Sequence, residues 1–503
     1  MAYPIQQYKW NDLVWSAILS FTQLDDARSL SLTCRDIYPL SRRAVLSRAE
    51  PSTFSQVQTI CSYKLADPRN RAWWLHELCV SIPAKYCSRV TEEPEPLPVH
   101  TSLANLLEAA PNLRILSLCD MDRSLQVEPR FGRALISLRC LHTLKLGGMS
   151  RPTLELARKM ASRPSDVTLE FVRPFFYWTP DCRDIASLSN LPLLDNAHTV
   201  HIDCLGPLDG RLYRSRMDLG SHPSVRKVRL GSGGSVLPLH RLFPSMQSLY
   251  LTDINVPFWE QWAWPQNVPL VEVNATVAAL KGFTNATVRS LHIQDRLDVN
   301  TGTRRDGFGP LRAMRPVCLS VGSGVRRPRE PASLKHWASF LTANLGPEGR
   351  LRCLELEALS FRRAERPLPF VKWLLPFLVP SALVCVKLHF NFNRAPRSGA
   401  PELPHRAQQE VDAARRMLVD SVPSLQYICI VAGYRHPDAP SESGLLIRVL
   451  GECTWWRIST STDTGERRVE RISDEAGALV DRYMRSAEFE ETLTLDRFVL
   501  AES

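Results

Sequence analysis

Lysine is scarce in this chain: only ten of its 62 basic residues are lysines, so nearly all of its positive charge is carried by arginine. Against 52 acidic residues this leaves a formal net charge of +10, spread over 503 residues. A balance so diluted does not single out a nucleic-acid partner. The thirteen cysteines include no C-x-x-C pair, which removes zinc-finger spacing. No Gly-Lys dipeptide exists, so a phosphate-cradling P-loop is absent, and His76-Glu77 lacks the second histidine of H-E-x-x-H. There is no G-x-S-x-G elbow either. The most apolar stretch, between Lys372 and Lys387, is short and broken by Pro376 and Pro380, so no membrane span is expected. Met1 to Gln6 has neither a basic segment nor a following apolar one, so the chain is expected to stay inside the cell, in cytoplasm or nucleus. With these motifs missing, no catalytic residue, cofactor or metal is expected.

What the chain does have is ordinary folding material, 44% hydrophobic and 23% charged, in about three times the usual single-domain length. It also repeats itself. An apolar residue is followed three and five positions later by two more, often just after a proline. Copies stand at Leu113, Leu116, Leu118; Leu141, Leu144, Leu146; Val225, Val228, Leu230; and Met246, Leu249, Leu251. Others are Val288, Leu291, Ile293; Leu351, Leu354, Leu356; Leu383, Val386, Leu388; and Leu425, Ile428, Ile430, with weaker ones near Val167, Ala197 and Val317. Two apolar residues two apart point to one side of a short strand, and that side must be buried. Between copies, Leu103, Leu106, Leu107 and Ala110, then Leu334, Trp337, Leu341 and Leu345, then Val411, Ala414, Met417 and Leu418 have helical spacing. A strand-plus-helix unit cannot bury its apolar face alone, so such units stack into a continuous core with a parallel strand ladder.

From about residue 100 to 435 the chain resembles the leucine-rich-repeat family. The family's Asn or Cys three places after the third leucine is replaced here by Met121, Met149, Gly233, Ile254 and Leu359. Cys318, Cys353, Cys385 and Cys429 fall in or beside strands and read as small buried hydrophobes. Arginine-rich, proline-containing loops are expected over residues 301–316, 325–331 and 394–406.

The first fifty residues have another rhythm. Val14, Trp15, Ile18 and Leu19 share one helix face; Ala27, Leu30, Cys34 and Ile37 share another, with Asp25 or Asp26 as its cap. A third helix spans about Ser41 to Ala49, ended by Pro51. Three helices in so few residues make a core too small to stand alone, which implies a partner. Trp15 to Phe21 and Asp26 to Arg35 resemble the two helical signatures of an F-box, with Trp10, Asn11 and Leu13 standing where the family has Leu-Pro and an acidic residue. The resemblance implies docking onto a Skp-type adaptor, and through it onto a cullin, with Val14, Trp15, Ile18, Leu19, Leu30 and Leu32 divided between module core and adaptor surface.

The expected architecture is therefore α/β. A three-helix F-box-like module (1–50) and a helical linker (51–100) with the Trp73-Trp74 pair precede an irregular leucine-rich-repeat solenoid (101–440). A C-terminal cap (441–503) follows, with a closing strand at Trp455 to Ile458 and a helix through Ala476, Leu479, Val480 and Tyr483. The implied function is substrate recognition for a Skp-cullin-F-box ubiquitin ligase, with an unknown protein substrate on the repeats and neither membrane nor nucleic acid as partner. The alternative is a repeat scaffold without a ligase role.

Overall fold

The computed structural model describes residues 12–81 (except 23 and 34), 97–171, 188–204, 220–231, 239–252, 264–265, 268–280, 283, 286–294, 314–322, 341–342, 345, 349–361, 367–392, 405–435, 449–461, 464–495 and 498. The first two arginine-rich loops lie almost wholly, and the third largely, outside these residues, as does most of the helix expected from Leu334. The chain is mixed α/β, with sixteen mostly parallel strands among the described residues. It forms two compact units: Met1–Val228 with Gly233–Ser245, and Arg229–Ser232 with Met246–Ser503.

In the first unit β1 (Arg48–Ala49), β2 (Glu77–Val80), β3 (Ile115–Leu118), β4 (Thr143–Met149), β5 (Asp166–Phe171) and β6 (Thr199–Asp203) each pair in parallel with the next. The repeat triads lie where their spacing predicts: Leu116, Leu118, Leu144 and Leu146 are all buried. A backbone device recurs with them. The carbonyl just ahead of one strand accepts two amide N–H groups from the next copy, as at His76 (from Arg114 and Ile115), Arg114 (from His142 and Thr143) and His142 (from Ser165 and Asp166). It fixes the register that the apolar spacing requires.

The ladder begins earlier than residue 101. Leu75, Leu78 and Val80 form a buried copy with the same three-and-five spacing, inside the segment expected to be a helical linker. The weak copy near Val167 starts at Pro164, with Val167 and Leu169 as its inward pair.

Ahead of the ladder stand α1 (Asp12–Phe21), α2 (Leu24–Ser31) and α3 (Tyr38–Ser47), with α1 and α2 each packed on α3. The second helix is shorter than its apolar spacing suggests. It stops at Ser31, Ile37 leads into α3, and Asp25 and Asp26 lie in the first turn of α2 rather than at its cap. Helix α4 (Phe54–Leu65) has a reciprocal cap: Thr53 Oγ1 accepts from Gln56 N at 3.2 Å, and Gln56 Oε1 accepts from Ser52 N at 2.8 Å. Helix α5 (Leu97–Ala109) buries Leu103, Leu106 and Leu107 as expected.

Buried Lys64 on α4 donates to the Leu46 carbonyl. Burial, aided by the Arg71 charge, lowers its pKa to about 8. Between pH 8 and the ordinary 10.5 the unfolded chain therefore binds more protons here, so stability rises with pH across that window. Denaturant unfolding should show the native chain gaining roughly 2 kcal/mol over Lys64→Met between pH 7.5 and pH 10. An unchanged difference would mean that Lys64 keeps its ordinary proton affinity.

Strand β7 (Lys227–Gly231) falls at the division of the chain into units, and in the second unit β8 (Ser248–Thr252), β9 (Leu270–Ala275), β10 (Val288–Ile293), β11 (Cys318–Gly322), β12 (Cys353–Phe361), β13 (Cys385–Phe392) and β14 (Tyr427–Arg435) are parallel in chain order. Leu270, Val273 and Ala275 are another copy of the triad that the sequence reading passed over. Helix α6 (His405–Ser421) buries Val411, Ala414 and Leu418. The direction then reverses: β15 (Val449–Thr460) is antiparallel to β14, and β16 (Arg467–Ile472) is antiparallel to β15. The last strand reads Arg-Arg-Val-Glu-Arg-Ile, a charged edge that discourages further pairing. Its Arg467 donates to the carbonyls of Val419, Val422 and Leu425, satisfying the C-terminal end of α6.

After β16 come α7 (Asp474–Met484) and α8 (Ala487–Thr492), capped by Ser473 and Ser486, whose hydroxyls accept from Ala476 N and Phe489 N at 3.2 Å each. The buried face of α7 is Gly477, Val480 and Met484, and Leu479 is exposed, contrary to its expected place on the inner face.

Candidate functional site

Three surfaces are candidates, and the strands build two of them. Residues alternate across each strand, so the positions between the inward leucines form rows on the opposite face. In the first unit one row is Arg48, Glu77, Ile115, Thr143, Asp166 and Thr199, and the next is Cys79, Ser117, Lys145, Thr168 and His201. Every one of these side chains is at least partly exposed. The face is polar and mixed in charge, with Lys145 Nζ 2.6 Å from Glu170 Oε1.

The corresponding face of the second unit is covered. Its rows are Ser290, Cys318, Cys353, Cys385 and Tyr427, then His292, Ser320, Glu355, Lys387 and Cys429. The four cysteines are buried as expected, but they stand opposite the leucine core, beneath α7 and α8. Val480, Met484 and Phe489 pack on Cys318, Cys353, Cys385, Tyr427 and Trp455. Gly477 is required there, because a Cβ would come within 2.3 Å of the Trp455 ring. Of the C-terminal segment, β15 and β16 end the strand ladder, as a closing strand there implies, whereas α7 and α8 lie across its strand face.

Charges align the cover. Arg485 Nη2 lies 3.3 Å from Glu355 Oε2, Arg485 Nε 3.2 Å from Asp481 Oδ1, and Arg485 Nη1 donates to Ser290 Oγ at 2.8 Å. Lys387 Nζ also pairs with Asp481, and His389 Nε2 is 3.0 Å from Glu355 Oε1. Further along, Glu490 takes Arg289 at 2.6 Å and Arg350 at 2.7 Å. Burial alone would raise the Glu355 pKa; the His389 hydrogen bond and the charges of Lys387, His389 and Arg485 outweigh it and hold the carboxyl well below its usual range. Burial likewise opposes the Lys387 charge, which the carboxylates of Glu355 and Asp481 keep in place.

The third surface is on α1 and α2. Val14 and Ile18 are 39% and 36% exposed, Phe21 is 89% exposed, and Leu32 just past α2 is 86% exposed. Val14, Ile18 and Phe21 are four and three residues apart, so they form one stripe along α1. Of the other residues that the sequence singles out, Leu19 is buried in the module core, and Trp15 and Leu30 are half-buried. Leu19 thus falls on the core side of the division that the resemblance left open, and does not serve as adaptor surface. Phe21 continues the Val14–Ile18 spacing at the end of the signature, just beyond the four residues that the sequence singles out on that face.

No family model and no curated protein matches this chain.

Proposed function

We propose that the chain is the substrate-recognition subunit of a Skp-cullin-F-box ubiquitin ligase. The observation that carries this is the exposed apolar stripe Val14, Ile18 and Phe21, with Leu32 nearby in sequence, on helices that already have a packed interior at Leu19, Ala27 and Leu46. Large side chains left in water on so small a module suit a protein partner. In this reading the stripe docks the Skp-type adaptor, catalysis belongs to the partner subunits, and the substrate lies on the open strand face of the first unit. The second unit's strand face is excluded from that role by its own C-terminal helices.

Co-purification with a Skp-type adaptor tests the proposal. Ile18→Asp/Leu32→Asp alters exposed positions, so the fold should survive while capture falls at least tenfold, as expected when central apolar contacts are lost. Absence of capture by the intact folded chain, or equal capture by the variant, would leave a strand-and-helix interaction scaffold with no adaptor docking through these residues.

A further inference from the structure

Beneath the helical module of the first unit lies a cleft of about 430 Å³ whose lining includes Arg43, Arg48, Arg114, Trp74, His76 and Glu77. We propose that it binds a phosphate monoester, with the phosphate oxygens held by Arg43 and Arg114 and the organic stem against Leu19, Leu40, Ala44 and Ile115. This inference does not rest on adaptor docking.

Charge, shape and size carry it. Three guanidinium groups face a single carboxylate, and that one is already committed: Arg48 Nε is 3.4 Å from Glu77 Oε2. Among the described residues no carboxylate pairs with Arg43 or Arg114, so two positive charges remain in a partly enclosed space, which matches a dianion. The Arg43 guanidinium lies 4.6 Å from the centre of the Trp74 ring, which holds its plane while its N–H edge stays available. Strand register sets Arg48 beside Glu77, and Glu77 beside Ile115, so the side chains of Arg48 on β1 and of Arg114, just ahead of β3, border one space. Guanidinium forks suit tetrahedral oxygens better than a lysine point charge would, and no lysine lines the cleft. The remaining wall is largely apolar, which free inorganic phosphate would not use. The volume is within the usual range for a small-molecule site.

His76 also lines the cleft, at half-burial. Burial, with the charge of Arg114, lowers its pKa, so near neutrality it adds a hydrogen-bonding group rather than a further charge.

The stem could be a small metabolite or a phosphorylated side chain, and calorimetric titration of the full chain separates these sources. One arm uses phenyl phosphate, the other a phosphoserine peptide, with inorganic phosphate and sulfate at matched ionic strength as references. Saturable binding of either ester, tighter than both inorganic anions and weakened tenfold or more by Arg114→Ala and by Arg43→Ala, is the expected result. The stronger arm identifies the source. Arg158→Ala, whose side chain pairs with Glu155 elsewhere in the unit, should leave affinity unchanged. Arg43 and Arg114 are exposed, and thermal melts would confirm that their variants fold. Binding of neither ester, or binding indifferent to both substitutions, overturns the proposal.

Discussion

Replacing Phe489 with alanine is expected to lower the unfolding free energy by about 3–5 kcal/mol, the usual cost of emptying a fully enclosed aromatic site. Phe489 is fully buried against the strand face, with Tyr483 set edge-on at 5.9 Å between ring centroids. The loss should be visible twice: in denaturant unfolding, and in faster labelling of Cys318, Cys353 and Cys385 by a thiol reagent, because the same side chain shields them. Leu479→Ala, on the exposed side of the preceding helix, is the control and should change stability by less than about 0.5 kcal/mol. Thiols that stay equally protected in the Phe489 variant would show that α7 and α8 do not cover this face.

A loss of similar size is expected for Glu355→Gln, by a different route. The carboxylate faces His389 and Arg485 and is electrostatically coupled to Lys387, so the amide leaves enclosed positive charge without its counter-charge, at a cost of about 3–5 kcal/mol. Its pH dependence has a definite sign. The folded-state pKa is depressed, so the contribution is present above the unfolded value of about 4.3 and is lost as the pH falls below it toward the folded value. The gap between native chain and variant should therefore narrow as pH is lowered from about 5 to about 2. Lys387, held above its ordinary value, keeps its charge throughout that window. Parallel acid-unfolding curves for the two proteins would contradict this account.

The inward strand positions were legible because they obey a local rule. Leu116 and Leu118, or Ile428 and Ile430, must be buried once each strand is placed. The copies at Leu75, Leu78, Val80 and at Leu270, Val273, Ala275 obey the same rule, so the signal was present there and was passed over. The outward positions followed no such rule. Nothing local marks Glu355 and Lys387 as enclosed, because their neutralising partners, Asp481 and Arg485, come about a hundred residues later. Helical periodicity in α7 located the helix, but could not tell Leu479, which faces water, from Met484, which does not. At the amino terminus the face containing Leu19 was legible, while the exposure of Phe21 depends on how α1 lies on α3.

The C-terminal cover also changes how the second unit should come apart. Stacked repeats touch only their neighbours and tend to lose structure one at a time from an end. Here Arg289 bonds to Glu490 across 201 positions of sequence, and Arg485 ties Ser290 to Glu355. Strands β10 to β13 thus share one fastening, made only when the last thirty or so residues exist. Such long-range closure slows folding and couples distant repeats. The second unit should consequently melt as one block, while the first, which has no tie of such sequence span among its described residues, keeps the graded, repeat-by-repeat fraying of a stack.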